Sequence, residues 1–100
     1  MNDLSAALLG TWRFDPTDLN GASRYGKVTL EFCADGTLLY ISHGPGKDDV
    51  VRLTYTVESD FIVTNQPSQP RVERTHYRFT SDGKLVLNFA GKESRYVRGI

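Results

Sequence analysis

The chain has one cysteine, no excess of either charge and no long apolar run, and each shortage closes off a class of protein. Cys33 alone cannot form an internal disulfide, so no cross-linked scaffold holds the fold, and a lone thiol suits a reducing compartment. Twelve Lys and Arg balance twelve Asp and Glu. A dedicated nucleic-acid binder carries a basic excess, so no nucleic-acid partner is expected. No apolar stretch approaches the roughly 18–20 residues that span a bilayer, so no membrane partner is expected either. The opening Met1-Asn2-Asp3 lacks the basic start of a secretory signal, and a cytoplasmic location is the expectation unless a leader precedes it. Helical periodicity is scarce too. Leu4 to Leu9 can form a turn or two of helix, with Ser5 as its cap, and nothing after residue 10 repeats the pattern.

What remains is alternation. One hundred residues hold one domain, 1–100, with a modest core. From Gly10 onward apolar and polar residues alternate with the period of a half-buried strand. Strands are predicted at about 10–14, 27–33, 37–42, 50–57, 61–65, 71–79, 84–89 and 93–98, each end uncertain by a few residues. Pro16, Pro45, Pro67 and Pro70 all fall between them, where a missing N–H is tolerated.

One pattern occurs twice. Phe32-Cys33-Ala34-Asp35-Gly36-Thr37-Leu38 and Phe79-Thr80-Ser81-Asp82-Gly83-Lys84-Leu85 share the form F-x-x-D-G-x-L. Aspartate bonds local backbone, glycine turns the chain, and Phe and Leu meet across the hairpin. The connections carry more information still. Those at Asp15–Gly26, His43–Asp49 and Gln66–Pro70 read as long, whereas Ala34–Gly36, Glu58–Asp60 and Ser81–Gly83 read as tight. In a meander successive connections alternate between ends, so tight turns gather at one end and long loops at the other. Closing such a sheet removes its exposed edges. The prediction is an all-β, eight-stranded antiparallel up-and-down barrel with a sealed base and an elaborated mouth.

In that barrel Trp12 enters the first strand at the base and Arg98 leaves the last strand there. Gly10-x-Trp12, paired with the terminal Tyr96-Val97-Arg98, resembles the structural signature of the lipocalin-like (calycin) superfamily. The resemblance implies that Arg98 packs over the Trp12 indole and closes the base. The chain is much shorter than typical lipocalins, fatty-acid-binding proteins or avidins, and looks closer to the small lipocalin-like domains of bacteria.

Alternation from Trp12 predicts an interior of Trp12, Phe14, Val28, Leu30, Phe32, Leu38, Tyr40, Val51, Leu53, Tyr55, Val57, Phe61, Val63, Tyr77, Phe79, Leu85, Leu87, Phe89, Tyr96 and Arg98. Toward the mouth, Tyr40, Tyr55, Phe89 and Tyr96, with Phe14 nearby and Glu73 and Thr75 facing in, would line a small apolar pocket. The 15–26 connection would partly cover it, with Tyr25 as its aromatic contact. Phenols and one carboxylate in an apolar wall supply area for affinity and polar groups for orientation. An eight-stranded interior is also just wide enough to be filled by its own side chains. The leading expectation is non-catalytic binding of a small, mainly apolar ligand. The alternative is a filled barrel acting through its outer wall, or as a homodimer rather than a monomer. Arg74, His76, Arg78 and Arg95 would then form a basic stripe on that wall. A barrel enzyme using Tyr40, Tyr96 and Glu73 as an acid–base set ranks third, and no metal site or cofactor motif is read: His43 and His76 stand alone, and Gly44-x-Gly46 lacks the strand-to-helix setting of a phosphate loop.

Overall fold

The computed structural model describes residues 7–18, 27–67, 70–89 and 91–99. Within them the chain forms β1 (Gly10–Phe14), β2 (Lys27–Phe32), β3 (Thr37–Gly44), β4 (Lys47–Glu58), β5 (Phe61–Asn65), β6 (Val72–Phe79), β7 (Leu85–Phe89) and β8 (Lys92–Arg98). Each strand pairs antiparallel with the next, and β8 returns to β1, giving a closed eight-stranded up-and-down barrel. This architecture is compatible with a lipocalin-like fold. Of the helical turn expected over Leu4–Leu9, only Ala7 and Leu8 among the described residues carry helical backbone, and Leu4 to Ala6 lie outside them.

The repeated heptapeptide forms the same hairpin twice. Cys33 N–H donates to Thr37 O and Gly36 N–H to Cys33 O, while Thr80 and Gly83 make the equivalent bonds to Lys84 and Thr80. Phe32 then pairs with Leu38, and Phe79 with Leu85. Both turns lie at the base.

At the base the indole of Trp12 is buried, and its Nε1–H donates to Leu8 O at 2.9 Å. Leu8 itself is fully buried beneath the barrel, a plug that strand alternation could not reveal because it precedes β1. The Arg98 guanidinium lies 3.9 Å from the Trp12 ring centroid. It also donates from Nη1 to Leu9 O at 2.6 Å and from Nη2 to Ala7 O at 2.8 Å. The arginine therefore covers the indole and holds the plug segment with charge-assisted bonds. Gly10 serves the same contact. Its φ of +110° suits only glycine, and a Cβ there would come within 3.2 Å of Arg98 Nη1.

Two expectations fail, both at turns. The connection read as a long loop over His43–Asp49 is only Pro45-Gly46, because Gly44 already pairs with Lys47. Proline presets φ at the first turn position and Gly46, at φ +86°, takes the second, so β3 and β4 run on as a projecting ribbon. In β5 the interior residues are Ile62 and Thr64, not Phe61 and Val63. The turn holds two residues, Ser59 and Asp60, so Glu58 pairs directly with Phe61. Glu58 faces out opposite to Val57, and Phe61 must share its face; one residue of turn length inverts the strand. On the outer wall Phe61 packs edge-on against His76, with centroids 5.2 Å apart.

Trp12→Ala is expected to lower the unfolding free energy by about 3–5 kcal/mol in urea denaturation. Arg98→Ala should cost less, about 1–3 kcal/mol, because it removes bonds to backbone that water can partly replace. A tolerated Trp12→Ala would contradict the closed-end account.

Candidate functional site

The barrel interior is not completely filled. Above the base a cavity of about 350 Å³ opens toward the mouth. Leu30, Phe32, Leu38, Val51, Leu53, Ile62 and Leu87 form its apolar wall, and Tyr40, Phe89 and Tyr96 supply aromatic surface. The polar lining is small and ordered. Ser94, 7% exposed, donates from Oγ to the Tyr96 hydroxyl at 3.2 Å deep in the wall. At the rim Arg71 Nε pairs with Glu73 Oε1 at 2.7 Å, beside Thr64 on the neighbouring strand. Arg71 is itself fixed by its backbone N–H, which donates to Asn65 Oδ1.

Of the side chains expected at a ligand site, Tyr40, Glu73, Phe89 and Tyr96 line this cavity together, with Thr75 beside them. Tyr55 does not. It lies late in β4, at the base, where its hydroxyl donates to Cys33 O at 3.0 Å and its ring meets Phe32 edge-on at 5.1 Å. A place at the mouth is closed to it because β4 runs from mouth to base and Tyr55 is near its end. Phe14 is also elsewhere. Strand tilt sets Phe14 level with Tyr96 and Leu85, the first residue of β7, so it packs against the core cluster instead of the cavity. Tyr25 lies outside the described residues, as do Asn20-Gly21 and Gly26 of the expected cover.

Ile62, Thr64, Gln66, Arg71 and Ser94 also line the cavity, beyond the residues expected there. Ser94 shares the parity of Tyr96, a signal that alternation alone carries. Ile62 and Thr64 require the turn length, and Gln66 and Arg71 sit in a connection where no period applies.

Most of the basic stripe on the outer wall is paired within the chain. Arg74 pairs with Glu58 at 3.1 Å, His76 with Asp60 at 2.6 Å and Arg78 with Glu93 at 3.6 Å. Thus three bases of the stripe, Arg74, His76 and Arg78, meet carboxylates on β4, in the β4–β5 turn and on β8. His43 belongs to this wall as well: its Nε2 contacts Thr29 Oγ1 at 2.7 Å and its Nδ1 meets Asp48 at 3.0 Å, so both ring nitrogens are engaged. Among the described residues no cluster of three or more metal-ligating side chains occurs. Burial, together with Glu31 and Asp35, pushes the Cys33 thiol up and away from a reactive thiolate. Compared with protein-family models, curated proteins and solved structures, the chain finds no match.

Two buried groups stand out electrostatically. Asp15, 3% exposed, ends the β1–β8 pairing by donating its N–H to Arg95 O. Its carboxylate accepts from Lys84 Nζ at 2.8 Å and from the backbone and hydroxyl of Thr17. The Lys84 ammonium foremost, with Thr17, outweighs the burial that opposes ionisation and lowers Asp15 to about 2. Tyr77 is 3% exposed and its hydroxyl finds no hydrogen-bond partner among the described residues. Such a group costs about 1–3 kcal/mol in lost hydration.

Because Asp15 is lowered in the folded state, its contribution is present above its unfolded value of 3.8 and fades as pH falls toward about 2. Urea titrations at stepped pH should show stability declining over that window, and Asp15→Asn should flatten the decline while lowering stability at neutral pH. An unchanged slope in the variant would contradict this. Tyr77→Phe is expected to raise the unfolding free energy by about 1–2 kcal/mol, since it removes an uncompensated desolvation and little volume; a loss of stability would mean the hydroxyl has a partner in solution.

Proposed function

We infer that this chain is a small lipocalin-like binding protein, non-catalytic, that holds a compact and mainly apolar molecule in the barrel. The cavity carries the reading. Its volume of about 350 Å³ lies at the small end of the range typical of ligand sites, and its lining is apolar with a few placed polar groups. A ligand there would lay its body against Leu38, Leu53, Ile62 and Leu87 and turn one hydrogen-bonding group to the Ser94–Tyr96 pair. Tyr40 and Phe89 would flank it on the way out. The Arg71–Glu73 pair cancels charge at the rim, which favours a neutral guest over an ion.

Lipocalin-like kinship is supported by the closed barrel and by the Arg98–Trp12 contact at its base. The wall-binding alternative draws less support, since Arg74, His76 and Arg78 already face carboxylates of their own chain. Acid–base use of Tyr40, Tyr96 and Glu73 is weakened in the same way, because Glu73 is held by Arg71.

Binding of N-phenyl-1-naphthylamine, an uncharged apolar fluorophore, tests the reading. The folded protein should enhance its emission saturably. Leu87→Trp, which fills the cavity, should weaken binding by about tenfold or more while circular dichroism keeps the barrel signal. Emission without saturation, or equal affinity in the filled variant, would sink it.

A further inference from the structure

β4 is twelve residues long and β5 only five, so most of β4 extends past β5 on that side. Pairing with β5 begins at Thr54, opposite Asn65, and ends at Glu58. From Lys47 to Leu53, therefore, β4 is bonded to β3 on one side, and among the described residues no strand pairs with its other edge. A shallow cleft between Val50–Arg52 and Gln66–Pro67 runs along it.

Strand alternation identifies the groups on that edge. Tyr55 N–H donates to Gly36 O, and the β3–β4 register continues unbroken from Thr37–Thr54 to Gly44–Lys47. Leu53, Val51 and Asp49 consequently turn their peptide groups toward β3, and Arg52, Val50 and Asp48 turn theirs outward. The same three side chains lie on the outer face. Val50 is 58% exposed. Among the described residues Arg52 makes no close ion pair, its charge reaching Asp35 through space, and Asp48 meets the exposed His43.

We propose that this edge pairs with the same edge of a second copy, antiparallel about a two-fold axis at Val50, joining two barrels through one continuous sheet. Asp48-x-Val50-x-Arg52 is self-complementary in that arrangement: Val50 faces Val50, and each Asp48 faces the other copy's Arg52. The hydrogen-bonding phase is compatible: with its peptide groups turned outward, Val50 on the two-fold would exchange both backbone bonds with its counterpart. Sliding the register by two residues breaks both ion pairs, and sliding it by four sets Asp48 on Asp48 or Arg52 on Arg52. Charges that normally protect an open edge here select one partner and one register.

Sedimentation velocity on the whole chain tests this. A monomer–dimer equilibrium is expected between about 10 µM and about 1 mM, the weak range of a small interface. Val50→Pro removes an N–H that β3 does not use, so it should abolish the dimer and leave the barrel's circular dichroism intact. Arg52→Glu and Asp48→Lys should each weaken self-association by about tenfold, with two attractive cross-strand pairs becoming repulsive. Mixing these two variants should restore a dimer, now of unlike copies, since an edge carrying two bases at positions 48 and 52 then meets an edge carrying two acids. A monomer throughout that range, or a dimer indifferent to Val50→Pro or to the charge reversals, would overturn the proposal.

Discussion

Arg98 lying across Trp12 is the contact on which the closed barrel depends. β1 and β8 meet through three residue pairs, the shortest seam in the sheet, and Trp12 opposite Arg98 is one of them. A seam that short contributes little through backbone bonds alone. The arginine strengthens it by binding the indole face and two carbonyls of the segment that brings Leu8 under the core. Gly10 leaves room for this, and Gly99 extends the seam with its N–H bonded to Thr11 O at 2.7 Å. Remove the guanidinium and the plug, the seam and the indole each lose a partner.

The position of the cavity follows from that base. Trp12, Phe79 and Tyr77 stack through contacts of 5.8 and 5.9 Å, filling the lower interior with rings. Above them the inward residues become shorter or polar, Thr64, Thr75 and Ser94 among them, and they no longer fill the bore. An eight-stranded barrel is at the limit where side-chain size decides between a packed core and a site. Here large rings close one half and smaller residues leave the other open. Neutrality at the rim comes from placing Arg71 against Glu73, and the bases of β6 meet carboxylates beyond the adjoining strands, Glu58 on β4, Asp60 in the β4–β5 turn and Glu93 on β8. Exposed pairs of this kind contribute little stability, and their effect is on what approaches the surface.

Strand number, order and most facing residues are legible in the sequence, because period-two alternation is a local signal that closure does not alter. Phe32 against Leu38 and Phe79 against Leu85 are readable for the same reason: the turn chemistry lies within seven residues of chain. The failures have separate causes. Size suits Phe61 to a core, but the face of a strand is set by counting through the turn before it. Tyr55 is low because β4 runs from mouth to base and Tyr55 lies near its end; Phe14 looks like a mouth residue when level is judged along a single strand, whereas tilt makes level a property of the closed sheet.

Alternation, turn residues and chain order act over short separations, so the order of amino acids alone specifies an antiparallel barrel, its repeated hairpins and the pairing of its first and last strands. Which aromatics surround the cavity, that Gln66 and Arg71 belong to it, and that β4 outruns β5 were decided only in three dimensions. Those features depend on tilt, on the length of each turn and on which strands end early, and these take their values when the sheet closes on itself.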